Sequence, residues 1–144
     1  MSARPFLPTR PPRRNHETAA FWDGCARGQL LLPRCDDCGE LIWYPRLVCP
    51  FCGSHAVTYT EVSGRGTVYS FTVVRRGAGP FRDAAPYVLA MVRLDEGPTM
   101  MTNLVDVDVA TVSIGQAVVV VFEPVEGSAG SPTEDAIPRF TPAR

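Results

Sequence analysis

The sequence contains no lysine: all fourteen of its basic residues are arginine. That uniformity reads as compositional bias rather than mechanism. There is no phosphate-cradling GxxxxGK[ST] loop and no dinucleotide-binding glycine fingerprint. Histidine is scarce, with only His16 and His55. Neither belongs to a Ser/His/Asp or Cys/His arrangement at a recognisable spacing, so no hydrolytic constellation is expected. Long apolar runs are also missing. Val88–Val92 and Ala117–Phe122 fall far short of the ~20 residues needed to cross a bilayer. The opening MSARPFLPTRPPRRN has no apolar core of the kind a secretory signal needs. These two absences lead us to expect a cytoplasmic chain with no membrane span. A strong positive field is absent as well, since the formal net charge is −1. Residues 1–34 hold six arginines against Glu17 and Asp23, whereas the remainder is net acidic. A general nucleic-acid binder usually shows a larger positive field.

What is present suits a small β-rich protein. The 144 residues fit one domain or two very small ones, and 45% hydrophobic content is enough for a core. Fourteen prolines and twelve glycines favour strands, turns and irregular ends. Prolines 5, 8, 11 and 12 make residues 1–15 read as a flexible arm. Residues 16–30 read as a helical segment, with Asn15 as cap, Thr18, Phe21, Trp22 and Cys25 at spacings of three and four, and Gly28 as stop. Phe21 and Trp22 are either an anchor for a partner or the face on which this helix folds back. Beyond Val57, TYTEV, TVYSFTVV, YVLAMVRL, TMMTNLV and AVVVVFE read as five strands. SGRG permits a bend, RRGAGPFRDAAP is a loop, and DEG is a hairpin turn. DVDVATVSIG alternates like a strand, yet its aspartates equally suit a turn. The pattern predicts a mainly β protein ending in a five-stranded barrel of oligonucleotide/oligosaccharide-binding (OB) topology over 58–126, with 127–144 a loosely attached tail.

The sharpest signal is CDDCGELIWYPRLVCPFC. Cys35, Cys38, Cys49 and Cys52 form two Cys-x-x-Cys pairs ten residues apart, the spacing of a zinc ribbon over 31–57. Gly39 and Gly53 follow the pairs and permit tight turns that aim amides at the sulfurs. Four thiolates fill a tetrahedron and leave no position for water or substrate, so the metal is expected to be structural. Zn²⁺ is preferred; the same geometry holds one iron in rubredoxin. Cys25 is read as a buried small hydrophobe and Asp36, Asp37 and Glu40 as a solvated rim. A ribbon joined to a small barrel also fits a single-stranded nucleic-acid-binding module, with Tyr69 and Phe71 on one strand face and Arg75, Arg76 and Arg82 nearby.

FWDGCARGQLLLPRCDDCGELIWYPRLVCPFCGS, SGRGTVYSFTVVRR, PYVLAMVRLDEGPTMMTNLV, IGQAVVVVFEPV and the late PRF together resemble the acyl-CoA-associated zinc-ribbon/OB-fold family, over roughly residues 16–141. The resemblance implies an N-terminal helical segment, a rubredoxin-like ribbon and a C-terminal OB barrel. It implies a non-catalytic accessory subunit of a thiolase-like acyltransferase or steroid side-chain retro-aldolase, with catalytic residues on the partner. Some relatives join hot-dog-fold hydratases instead. By the same resemblance Cys35, Cys38, Cys49 and Cys52 are the metal ligands. Phe21 and Trp22 match the family's opening helix, and Tyr44, Pro45 and Arg46 the centre of the ribbon. Arg75 and Arg76 are candidate contacts to the partner or to the phosphates of CoA, because a guanidinium fork suits phosphate.

Overall fold

The computed structural model describes residues 7–125 and 135–144. Residues 1–6 of the expected arm, and 126–134 at the end of the expected barrel and the start of the expected tail, lie outside the described residues. One short helix, α1 (Ala19–Ala26), precedes β1 (Leu31–Cys35) and β2 (Val57–Glu61). Then come β3 (Arg65–Val74), β4 (Tyr87–Leu94), β5 (Thr99–Leu104), β6 (Ala117–Pro124) and β7 (Ala136–Pro142). Helix α1 begins later than Asn15. That side chain accepts from the Glu17 and Thr18 amides at 3.0 and 2.9 Å and so builds a turn ahead of the helix. Gly28, at φ +77°, ends it.

Strands β1 and β2 pair antiparallel, from Leu31↔Glu61 to Cys35↔Val57. The other five close into a barrel in the order β3-β4-β5-β7-β6. The expected five-stranded barrel is therefore present, with a different membership. TYTE belongs to the ribbon's sheet, because β1 takes its hydrogen bonds. Its place in the barrel goes to β7, from the segment expected to be a loose tail. Pro138 and Pro142 disguise β7 in the sequence, yet it pairs with β6 from Val118↔Pro142 to Pro124↔Ala136. Phe140 is fully buried there.

The N-terminal segment is also packed rather than loose from Leu7 onward. Leu7 and Thr9 are buried. Prolines remove donors from this stretch, but its carbonyls remain. The buried Arg139 guanidinium donates to Pro8 C=O at 2.6 Å and to Leu7 C=O at 3.5 Å, while pairing with Glu123. Arg14 ties the same segment to Asp23 and Asp135.

DVDVATVSIG forms turns, not a strand. Asp108 Oδ1 accepts the Ala110 amide at 3.0 Å, and Asp108 C=O accepts the Thr111 hydroxyl at 2.8 Å. The β4–β5 hairpin turns through Asp95–Pro98, with Leu94 N–H donating to Pro98 C=O at 2.8 Å. Ribbon and barrel share one core. Phe21, Leu30 and Leu32 lie in the same buried cluster as Val68, Val92, Met100, Val118 and Phe140. That common cluster fixes the ribbon against the barrel.

Candidate metal centre and the groove beside it

Two knuckles of the same design bring the four cysteines together. In the first, Cys35 N–H donates to Glu40 C=O at 3.0 Å and Gly39 N–H to Cys35 C=O at 2.9 Å. In the second, Cys49 N–H donates to Ser54 C=O at 2.8 Å and Gly53 N–H to Cys49 C=O at 2.9 Å. Gly39 and Gly53 each sit at φ +78°, a conformation that other residues adopt at a cost. Amides also point at sulfur: Cys38 N–H is 3.5 Å from Cys35 Sγ, and Phe51 N–H is 3.4 Å from Cys49 Sγ. The Cys38 amide is the foremost cause that draws the Cys35 thiol down to about 7. Cys38 and Cys52, against the pull of the Glu40 and Ser54 amides, are raised by burial and by hydrogen bonds among the sulfurs. The cluster thus readies one thiolate and holds protons on its neighbours.

The donor set fits a tetrahedral ion. All four sulfurs lie within 4.8 Å of one another, with Cys35–Cys52 at 3.5 Å and Cys38–Cys49 at 3.6 Å. Metal–sulfur bonds of ~2.3 Å at tetrahedral angles place sulfurs ~3.8 Å apart. Cys35 and Cys49 are buried and Cys38 and Cys52 exposed, so the site lies at the rim of the ribbon. Apart from the metal, the ribbon's own apolar cluster is Cys35, Ile42 and Cys49 with Val57 against it.

The acidic rim has a role that its composition did not disclose. Asp37 accepts the Ser54 hydroxyl and so ties the first knuckle to the second. Asp36 accepts the Thr58 hydroxyl at 2.9 Å. A short polar side chain two residues from a ligand was the available signal. Cys25, as expected, is buried, and desolvation pushes its thiol up to about 12.

The aromatic candidates gather at one place. Phe21 is buried, its ring 4.7 Å from Trp22 and 5.3 Å from Trp43. Trp43 continues to Tyr44 at 5.4 Å, and the Arg46 guanidinium lies 5.5 Å over the Tyr44 ring. Glu17 joins helix segment to ribbon: its carbonyl accepts Tyr59 Oη at 2.5 Å, and its carboxylate lies 4.0 Å from Arg46. Burial, followed by the Glu17 charge, raises the Tyr59 phenol to about 12. These aromatics and strands β5 and β7 border a groove of about 250 Å³. The fold-back reading of α1 describes both residues: Phe21 is core and Trp22 packs half-buried against it, and both also border the groove with Tyr44.

Arg75 and Arg76 are not part of this group. They are exposed and follow Val74, the last residue of β3. The β4–β5 turn borders a cleft with Glu40 and Phe51 of the ribbon, whereas the arginines lie at the far end of the ten-residue β3, roughly 30 Å along. Tyr69 and Phe71 do not share a face. A β-bulge between Val68 and Ser70 shifts the register, so Phe71 pairs with Ala90 and packs on the barrel core while Tyr69 turns outward beneath the Arg93 guanidinium, 4.4 Å from its ring. The two-ring stacking surface required by the nucleic-acid reading is therefore not formed.

Residues 22–58 match the family described as "ChsH2, rubredoxin-like zinc ribbon domain", and residues 59–123 match "ChsH2, C-terminal OB-fold domain". A "DUF35 domain-containing scaffold protein" of Methanothermobacter thermautotrophicus is 35% identical over 118 residues, 79% of this chain and 89% of that relative. The chain belongs to the ChsH2/DUF35 zinc-ribbon and OB-fold family. A solved structure from the same family, titled "Ltp2-ChsH2(DUF35) aldolase", superposes with a TM-score of 0.80 at 33% identity, covering 93% of this chain and all of that one. The "3-oxo-4,17-pregnadiene-20-carboxyl-CoA hydratase alpha subunit" of Mycobacterium tuberculosis is 38% identical over 114 residues. This chain spans 34% of that subunit, so DUF35 units also occur inside longer proteins. The barrel match stops at 123, short of β7, which is why the family pattern leaves the last strand undescribed.

Proposed function

We propose that this chain is a zinc-bearing, non-catalytic accessory subunit of an acyl-CoA-processing complex. Its partner is a thiolase-superfamily catalytic chain acting as an acyltransferase or retro-aldolase. A hot-dog-fold hydratase is the second partner class, suggested by the hydratase alpha subunit among the relatives. The observation that carries the reading is the full-length likeness to the DUF35 chain of an aldolase, together with a scaffold-named relative. The chemistry of the site supports it. Cys35, Cys38, Cys49 and Cys52 would hold Zn²⁺ with every position taken by sulfur. Zinc, when bound, supplies folding free energy and no reactive position. The chain's residues then act as a frame: the ribbon presents Tyr44 and Arg46, α1 presents Trp22, and the barrel holds both. Arg75 and Arg76, far from the ribbon, are proposed to meet anionic groups of the partner or its acyl-CoA.

The test is purification of the tagged chain from its native cells. Bound proteins are identified, metal is measured, and retro-aldol and acyl-transfer activity is assayed. The expected result is a stoichiometric complex with a thiolase-superfamily chain, one zinc per copy of this chain, and activity only in the complex. Full activity from this chain alone would overturn the reading. So would salt-sensitive binding to single-stranded oligonucleotides with no enzyme partner.

A further inference from the structure

The barrel is closed at one point by very little. Strands β5 and β7 run parallel and share a single register pair, Leu104↔Phe140, beside which Val105 N–H donates to Phe140 C=O at 2.8 Å. Elsewhere around the barrel, pairing runs over six to eight residue pairs at β3–β4, β4–β5 and β6–β7, and three at β3–β6. N-terminal to Leu104, β5 and β7 part, and the groove opens between them. Met100, Met101, Thr102 and Asn103 form one wall and Ile137, Pro138 and Arg139 the other.

The direction of each backbone group follows from the hairpin. Antiparallel pairs alternate between hydrogen-bonded and non-bonded residues. Leu94 N–H donates to Pro98 C=O, so in the register Arg93↔Thr99 to Val88↔Leu104 it is Met100, Thr102 and Leu104 that bond to β4. Thr99, Met101 and Asn103 direct their N–H and C=O away from β4, and Met101 and Asn103 border the groove. Val105 has the same parity and does face β7. Among the described residues the β5–β7 register does not extend past Leu104↔Phe140, so Met101 and Asn103 lie beyond the last pair of that ladder. On the opposite wall, Ile137, Arg139 and Thr141 pair with β6, which turns Pro138 to the groove. Proline occurs in sheets where no ladder donor is called for, and here its nitrogen faces the gap.

The lining side chains are neutral and largely apolar. Trp22, Trp43, Tyr44, Met101 and Ile137 border the groove, and Met101 is 63% exposed. The one charge at the wall, Arg139, is itself buried and directed to Glu123 and the Leu7 and Pro8 carbonyls. A bare strand edge beside neutral apolar pockets recognises an extended, uncharged peptide by backbone pairing, with alternate side chains in the pockets. Electrostatic complementarity excludes a charged segment from this lining.

We infer that the free edge of β5, Thr99–Asn103, receives an extended, uncharged segment of the catalytic partner as an added strand. This rests on the accessory-subunit reading and goes beyond it by naming the interface and its mode. Hydrogen exchange, measured on the isolated chain and on the complex purified with its catalytic subunit, tests it directly. The Met101 and Asn103 amides are expected to exchange freely in the isolated chain and to become protected in the complex. Met101→Pro removes one edge donor without touching a β4 hydrogen bond. It is expected to weaken complex formation about tenfold or more, with zinc content and circular dichroism retained. Met101→Leu, which keeps the donor, is expected to stay within about twofold. Unchanged exchange at 99–104 in an intact complex overturns the inference and leaves the accessory role standing. So does full binding by Met101→Pro, or protection of these amides already in the isolated chain. Protection that arises from self-association of this chain also overturns it. Failure to form any complex with an acyl-CoA enzyme removes the accessory role itself, and the inference with it. If Met101→Pro fails to fold, the exchange experiment on the unaltered chain still decides.

Discussion

Removing the metal should melt the ribbon and spare the barrel, and the size of the effect follows from the ribbon's contents. Ordering the eighteen residues from Cys35 to Cys52 costs ~18 kcal/mol at the low end of about 1 kcal/mol per residue. The apolar side chains that the ribbon buries beyond its ligands are Leu41 and Ile42, with Trp43 and Val57 partly buried. They return ~4–7 kcal/mol at roughly 1.5–3 for a fully buried residue. A structural zinc contributes ~10–16 kcal/mol, enough to close the difference to within a few kcal/mol. The barrel needs no such help, because Val68, Val88, Val92, Leu94, Met100 and Phe140 are almost completely buried. The assay is amide exchange and far-ultraviolet circular dichroism before and after treatment with a strong chelator. We expect the Gly39, Cys49 and Gly53 amides to lose protection, while the amides of β3, β4 and β6 keep theirs. Tryptophan emission should shift to the red, because Trp43 packs between ribbon and helix. If the chelated, metal-free chain retained protection at the knuckles, the ribbon would be held by packing and the case for a structural metal would fail.

Other perturbations address single features. Phe140→Ala should cost ~3–5 kcal/mol, about 10 °C or more in Tm, since a fully buried ring in β7 is lost; a shift under 2 °C would return that segment to the status of a loose tail. Gly64→Ala should destabilise by ~2 kcal/mol or more, because Gly64 sits at φ +74° and an added Cβ would come within 2.3 Å of Val120 Cγ1; an unchanged urea midpoint would contradict that geometry. Phe71→Ala should cost ~2–4 kcal/mol and Tyr69→Ala under ~1, measured by urea unfolding, and equal costs would mean that the bulge is absent. Stability should also fall as pH rises from 9 towards 12. The native Cys25 thiol stays protonated to about 12 while the unfolded thiol ionises near 9.0, so the unfolded chain holds fewer protons in that window. The expected slope is at most ~1.4 kcal/mol per pH unit from this group, and Cys25→Ala should flatten it.

The metal site was legible because its chemistry is local. Four thiols at two short spacings leave few arrangements, and the knuckle glycines announce the turns. The barrel was legible in number and less so in membership, for reasons that differ along the chain. TYTE has a strand's composition wherever it pairs; only the pairing with β1 decides that it joins the ribbon. Segment AIPRFTP carries two prolines, and proline argues against a central strand. It forms β7 nonetheless, because its hydrogen bonds to β6 run through Ile137, Arg139 and Thr141, so Pro138 gives up nothing. Tyr69 and Phe71 were misread because alternation assumes an unbroken pleat, and one bulge reverses it. Leu7–Arg14 looked loose because its prolines were counted as missing donors. Its acceptors are what Arg139 uses, 131 residues away from Pro8.

These misreadings converge on one place. Arg139 and Pro138 belong to the strand whose sequence hid it, and β7 is the wall of the groove that β5 leaves open. A strand that closed this gap fully would satisfy Met101 and Asn103 and seal Trp22 and Ile137 inside. The proline at 138 works against that closure from one side, and the aromatic residues Trp22, Trp43 and Tyr44 occupy the space beside the other. Ordinarily a sheet edge is protected by charge, twist or cover, because an open one invites unwanted pairing. Here the edge is neutral, bordered by apolar side chains and set against the zinc-ribbon domain. If this chain is the accessory subunit proposed, it acts by what it binds, and the half-closed seam between β5 and β7 is where a partner strand would pair.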